Sequence, residues 1–191
     1  MSITSIMIVG VGGQGTLLAS RILGNTLIGA GYDVKVSEVH GMSQRGGSVT
    51  TYVRFGEKVW SPIIEKGGAD IILSFELLEA LRALPYLKRD GQIIVNAQQI
   101  DPMPVITGAA EYPKGIEEAL REHAKLTAVD ALALAREAGS IKAVNVVLIG
   151  LLARNTSIPR EQWEETLRTT VPPKFLDINM KAFELGYQYE E

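Results

Sequence analysis

The strongest constraint on this fold sits at the start of the chain. A β-branched apolar run, Ile3 to Val9, leads directly into Gly10-Val11-Gly12-Gly13-Gln14-Gly15. Glycines at that spacing allow a tight turn from a strand into a helix and let backbone N–H groups approach a phosphate or a neighbouring backbone. A helix is predicted from Gln14 to Ala30, with Leu17, Leu18, Ile22, Leu27 and Ile28 able to line one face and Gly31 as its C-cap. Asp33 to Ser37 reads as a second strand. This strand–helix–strand order is a βαβ unit, so the first two strands are expected to be parallel.

Beyond this unit the pattern changes. Ser48 to Phe55 alternates in a β manner, Gly56-Glu57-Lys58 reads as a turn, and Val59 to Ile64 is expected to return as a hairpin partner. Strands are predicted at Ala69–Ser74, Gln92–Asn96 and Leu126–Val129, and a short one at Val105-Ile106. Helices are predicted at Leu77–Leu84, Gly115–His123, Ala131–Ala138, Ala143–Ala153, Glu161–Thr170 and Lys174–Tyr187. There is no internal repeat and no linker long enough to divide the chain, so residues 1–191 are expected to form a single domain. The expected fold is α/β and three-layered. It has a mainly parallel sheet, a Rossmann-like first βαβ unit and a β-hairpin insertion.

Composition narrows the chemistry. A length of 191 residues with 46% hydrophobic content supports a sizeable core. The net charge of -3 lacks the basic footprint of a nucleic-acid binder. There are no cysteines, so this chain has no disulfide, no cysteine nucleophile and no thiolate for an iron–sulfur cluster or zinc. The two histidines, His40 and His123, are too far apart to make a metal motif, and no metal site is expected. No leader or membrane span is apparent, and a cytoplasmic location is expected.

The glycine loop admits a dinucleotide reading, in which Gly10, Gly12 and Gly15 form the fingerprint and Glu38, ending the second strand, binds a ribose. The same glycines also serve as a structural turn that packs helix against strand. A second polar loop, from His40 to Ser48, holds Gln44, Arg45, Gly46 and Gly47. Arg45 offers a planar fork suited to a carboxylate or phosphate, His40 exchanges protons near neutrality, and the glycine pair lets backbone come close. His40 and Arg45 are the catalytic candidates, although the sequence ties no acid or nucleophile to either. Glu76 and Glu79, after a strand end, either reach a crevice or complement a helix dipole. Asn96 and Gln98 are crevice candidates. Lys142, Asn145 and Asn155 suit capping, and His123 suits a solvated face.

Taken together, Gly-x-Gly-Gly-Gln-Gly and the later Glu38-Val39-His40-Gly41-Met42-Ser43-Gln44-Arg45-Gly46-Gly47-Ser48-Val49 resemble the gamma-type domain of the 2-oxoacid:ferredoxin oxidoreductases. Within that family the resemblance is to the small beta subunits of the indolepyruvate branch. It continues through Arg54-Phe55-Gly56, the Glu76-x-x-Glu79-Ala80-Leu81-Arg82 helix and Leu84-Pro85-Tyr86-Leu87. The resemblance implies one subunit of an enzyme that oxidatively decarboxylates a 2-oxoacid to an acyl-CoA and passes electrons to ferredoxin. It implies a large partner subunit carrying thiamine diphosphate and [4Fe-4S] clusters, with coenzyme A as co-substrate and no cofactor bound by this chain alone. On this reading Gly10, Gly12, Gly13, Gln14, Gly15, Glu38, Gln44, Arg45, Gly46 and Gly47 face the substrate or cofactor, with Arg45 toward an anion. An apolar docking patch is expected among Trp60, Pro62, Ile63, Phe175, Phe183 and Tyr187, with self-association of the isolated chain. The alternatives are an NAD(P)-binding Rossmann oxidoreductase and a non-catalytic scaffold whose glycine loops are structural.

Overall fold

A computed structural model describes residues 3–40 and 46–190, and for His40 its backbone. Of the predicted site residues, Gln44 and Arg45 and the side chain of His40 lie outside this description.

The chain builds a six-stranded sheet in the order β2-β3-β1-β4-β5-β6. Its strands are β1 (Thr4–Val11), β2 (Asp33–His40), β3 (Ser48–Gly56), β4 (Ala69–Ser74), β5 (Leu87–Asn96) and β6 (Lys125–Val129). β1, β4, β5 and β6 run parallel to one another, while β3 is antiparallel to both β1 and β2. The helices are α1 (Thr16–Gly29), α2 (Leu77–Ala83), α3 (Met103–Ile106), α4 (Ile116–His123), α5 (Ala131–Ala138), α6 (Val144–Arg154), α7 (Arg160–Thr170) and α8 (Leu176–Tyr187).

Alternation along β1 sets the layers. Ile6 and Ile8 enter one core with Ile22, Leu23 and Leu27 of α1 and with residues of α5 to α8. Met7 and Val9 enter the other, with Leu78 and Ala80 of α2 and Leu120 of α4. Opposite faces of one strand thus serve two cores, which is how a strand buried on both sides reads as a continuous apolar run. α6 is buried from Val144 to Ala153 because it lies in the middle of the thicker layer. There α6 and α8 nearly touch: a Cβ on Gly150 would sit 2.2 Å from the Phe183 carbonyl oxygen, and one on Gly186 2.0 Å from that of Val147.

β1 and β2 point the same way, as expected, with β3 inserted between them. Two further expectations are corrected. The hairpin is β2–β3, and residues 57–68 form no strand. Both edges of β3 are already taken by β1 and β2, so the segment holding Val59 to Ile64 cannot pair with it as a hairpin partner. It is held instead by Asp33, which accepts from the Val59 amide at 2.9 Å, and by Arg54, which donates to the Ser61 and Ile63 carbonyls at 2.9 and 3.0 Å. Val105-Ile106, read as a strand, closes the short α3, whose first turn starts at Pro102-Met103-Pro104. Proline fits an N-terminal helical turn, where its missing N–H is not needed.

The expected apolar patch is only partly surface. Trp60 is 84% exposed and Ile63 51%, and Phe175 is 47% exposed, but Phe183 is 1% exposed and stacks on Tyr187 inside the helical layer. Leu17, Ile28, Val36 and Val39, on α1 and the edge strand β2, are exposed as well. Among the described residues no helix is long and apolar enough to cross a membrane.

Candidate functional site

Topology sends five chain reversals to one rim. β1, β4, β5 and β6 end there, at Val11, Ser74, Asn96 and Val129. β2 also ends there at His40, and β3 begins there at Ser48. Open α/β sheets bind ligands at this rim, where connections on the two sides of the sheet diverge.

The two glycine loops meet at this rim. The Gly12 amide donates to the Gly47 carbonyl at 2.8 Å, and the Gly46 amide donates to the Gly12 carbonyl at 3.3 Å. This pair of bonds continues the β1–β3 ladder past Val11↔Ser48. Arg45 is the residue before Gly46 in sequence and lies outside the described residues.

The first loop is shaped by local necessity. Gly15 sits at the N-cap of α1 with φ of 86°, and a Cβ there would lie 2.8 Å from Asn145 Nδ2. Only glycine adopts that region without strain, and the close approach of α6 blocks a side chain. Asn145, predicted as a capping residue, donates to the Gly15 carbonyl at 3.3 Å. A Cβ on Gly10 would press against Gln14 Oε1 and Phe75 Cβ, each at 2.9 Å. Gln14 is the cross-brace: Oε1 accepts from the Val11 amide at 2.7 Å, while Nε2 donates to the Phe75 carbonyl at 2.9 Å and to Gln98 Oε1 at 3.5 Å. The loop is thus fastened to the ends of β1, β4 and β5 together.

Behind the loops lies a buried polar network. Asn96 donates to the Phe75 carbonyl at 3.2 Å and to Gln98 Oε1 at 3.0 Å, and it accepts from the Ala131 amide at 3.1 Å. Glu76, 1% exposed, is the N-cap of α2 and accepts from the Glu79 amide at 2.9 Å. Its other oxygen accepts from the Ile100 amide at 3.1 Å and from the Tyr112 hydroxyl. Burial, and then the adjoining Glu76 carboxylate, hold the Tyr112 hydroxyl well above the usual tyrosine range. Glu79, also buried, accepts from Arg82 at 2.6 Å and from Ser48 Oγ at 2.5 Å. An open depression of about 790 Å³ borders this network, lined in part by Leu77, Gln99, Tyr112 and Lys114.

Sequence reasoning singled out Asn96, Gln98, Glu76 and Glu79, but not Tyr112 or Ser48. The three-residue spacing of Glu76 and Glu79 at a strand end was the available signal, because it places one carboxylate at a helix N-cap and the next in the first turn. Tyr112 carried none, since its partner lies 36 positions away. His123 is exposed, and its ring nitrogen lies 2.8 Å from the Ala119 carbonyl on its own helix.

Glu38 does not join the rim. Its carboxylate accepts from Ser20 Oγ at 3.2 Å, beside a groove of about 430 Å³ between α1 and β2 that includes Leu17, Arg21 and Val36. A dinucleotide fingerprint needs its acidic residue on a strand next to β1. Here β3 fills that place, and the Gly12 amide is already bonded to Gly47. The Rossmann cofactor reading is therefore not the one this geometry favours. Among the described residues no cluster of His, Asp and Glu is placed to hold a metal.

Comparison with known proteins agrees with this architecture. The model of the family described as pyruvate ferredoxin/flavodoxin oxidoreductase matches residues 5–189. The indolepyruvate oxidoreductase subunit IorB of Thermococcus kodakarensis is 51% identical over 190 residues, covering 95% of this chain and 93% of that one. Pyruvate oxidoreductase subunit PORC of Thermotoga maritima superposes with a TM-score of 0.77 at 21% identity, covering 98% of this chain and 97% of that one. The 2-oxoglutarate:ferredoxin oxidoreductase of Magnetococcus marinus, solved with 2-oxoglutarate, coenzyme A and succinyl-CoA, gives 0.76 at 18% identity. It covers 98% of this chain but 31% of its own. The chain belongs to the pyruvate ferredoxin/flavodoxin oxidoreductase family, among its small, gamma-type subunits.

Proposed function

We propose that this chain is the small subunit of an indolepyruvate-type 2-oxoacid:ferredoxin oxidoreductase. The reaction joins a 2-oxoacid and coenzyme A, releases carbon dioxide, forms the acyl-CoA thioester and hands an electron pair to ferredoxin. All of residues 1–191 act as one gamma-type domain in the cytoplasm, and the complex works only with a large partner subunit. The partner is expected to carry the iron–sulfur clusters, because this chain has no cysteine to ligate one. Thiamine diphosphate, on the partner, supplies the electron sink for decarboxylation.

This chain's part is to close the pocket. The observation that carries this reading is the Gly12–Gly46/Gly47 pairing, which brings both loops to one end of the sheet. From that root Arg45 reaches the anionic end of a substrate, either the 2-oxoacid carboxylate or a phosphate of coenzyme A, through its planar fork of donors. His40 and Gln44 support it with hydrogen bonds. The scaffold reading draws on one specific observation, that Gly10 and Gly15 are each required by packing alone. It leaves Arg45 without a task, and so the two readings are separable.

Co-expression is expected to yield a complex with a large thiamine- and cluster-bearing subunit. In that complex Arg45→Ala raises KM for the oxoacid or for coenzyme A by about tenfold or more, the worth of one charge-assisted hydrogen bond. Unchanged KM for both substrates in an intact complex would leave the scaffold reading standing.

A further inference from the structure

The two edges of the sheet differ. β6 is five residues long, and the Tyr189 hydroxyl donates to its Ala128 carbonyl at 3.2 Å. β2 is eight residues long, and among the described residues no strand lies beyond it. A long edge with apolar side chains is a template for another strand unless something covers or charges it. Val36 and Val39 are exposed on β2, and Lys35 is drawn back to Asp33 at the start of the strand, 2.5 Å away.

Helix α1 continues this surface. Leu17, Arg21, Gly24 and Ile28 recur at helical spacing and share one side of it. Leu17 is 54% exposed and Ile28 61%. All four border the groove between α1 and β2, opposite Val34, Val36 and Glu38. Ser20 bonds Glu38, and a Cβ on Gly24 would lie 3.9 Å from Val36 Cγ2. The helix therefore descends as the strand rises, and the level midway between Ser20 and Gly24 is that of Ser37.

We propose that two copies of this chain join through this surface, with β2 pairing antiparallel to β2 about a two-fold axis at Ser37. Two six-stranded sheets then become one continuous sheet. The occupant follows from self-complementarity. A two-fold axis normal to a sheet keeps each face on its own side, so every residue meets one of the same face. At Ser37 this pairs Val36 with Glu38 and Lys35 with Val39. The same axis crosses α1 between Arg21 and Gly24. It brings Leu17 of one copy to Ile28 of the other and lays Arg21 over the notch at Gly24, close to the second copy's Glu38. Apolar groups meet apolar groups, and each arginine meets a carboxylate. An axis at Val36 would match Leu17 with Gly31, past the end of α1, and lose both contacts. This surface lies along the sheet edge, and the inference does not depend on the functional reading above.

The full-length chain, alone and co-expressed with its large subunit, provides the test. Sedimentation of the isolated chain should give twice the mass of 20.7 kDa. The chain has no cysteine, so Ser37→Cys introduces a single thiol that meets its own copy across the axis. Directly opposed strand residues lie within disulfide reach. Mild oxidation should link Ser37→Cys into a covalent dimer. Lys35→Cys stands four residues, or about 13 Å, from its own copy and should not link to itself. Mixed with Val39→Cys, it should. Arg21→Glu and Glu38→Arg should each weaken dimerisation about tenfold or more, and an equal mixture of the two should pair again, each finding its opposite across the axis. The proposal is overturned by a monomer at about 100 μM, a concentration that populates any dimer of micromolar affinity. It is equally overturned if Lys35→Cys links to itself as readily as Ser37→Cys, or if the mixed charge variants stay apart. If the large subunit abolishes the Ser37→Cys link, that partner holds the edge and the proposal fails.

Discussion

Where β1, β4 and β5 end, carboxylates are buried and bonded to backbone and hydroxyl groups. At the opposite end of the sheet, carboxylates are partly exposed and paired with lysines. Glu76 and Glu79 are of the first kind. Asp33, bonded to Lys35 at 2.5 Å and to the Val59 amide, and Asp70, bonded to Lys88 at 2.5 Å and to the Ser5 amide at 2.7 Å, are of the second. The difference follows from solvent. A carboxylate in water gains little from an ion pair, whereas a buried one must find partners and fixes whatever it finds. One end of the sheet is thereby rigidly cross-braced while the other tolerates change.

The largest effect is expected at the braced end. Glu76→Ala strands the Ile100 and Glu79 amides and the Tyr112 hydroxyl together, and should cost about 3 kcal/mol or more in urea unfolding. A loss below about 1 kcal/mol would show that the buried network is not what stiffens this rim.

Next come two glycines with left-handed φ, one at each end. Gly15→Ala meets both strain and Asn145, so about 2 to 3 kcal/mol is expected. Gly67, with φ of 72° and no atom within 4 Å of where a methyl would sit, carries strain alone, and Gly67→Ala should cost about 1 kcal/mol. Equal losses would erase the contrast between crowded and open turns.

Asp70→Asn keeps an acceptor for Ser5 and loses only the partly exposed Lys88 pair, so less than about 1 kcal/mol is expected. Smaller still is the response of the open rim to pH. The hydrogen bond from Lys35, then that from the Val59 amide, lower the Asp33 pKa to about 2. A carboxylate lowered on folding stabilises the fold above its unfolded value of about 3.9, and that contribution fades as pH falls from there toward its folded value. Asp33→Asn should therefore shift the thermal midpoint near neutral pH slightly and by less near pH 2, where the carboxylate is already partly protonated in the fold, as scanning calorimetry at both pH values would reveal. A shift that grew on acidification would contradict the assignment.

Much of this architecture was legible in local patterns. The periodicity of Ala131–Ala138 and the apolar run of Ala69–Ser74 match α5 and β4 residue for residue, because helix and strand periods are properties of a short window. The glycine turn was legible for the same reason. The neighbours of β1 were not. Strand order depends on which chain segment wins a place beside β1, and β3 fills the place a Rossmann unit would give to β2. The Val59–Ile64 hairpin failed on the same ground, since its apolar alternation said nothing of whether an edge was free.

The site divides along the same line. Glycines at 10, 12, 13, 15, 46 and 47, with Arg45 between the two groups, were evident in the residues themselves, because backbone reach and donor chemistry are intrinsic to residue type. That Gly12 pairs with Gly46 and Gly47, that Gln14 braces three strand ends, and that Ser48 is gripped by Glu79 were decided only when the sheet closed. Those contacts join residues that local sequence cannot relate, because strand order and helix packing, not sequence neighbourhood, bring them together.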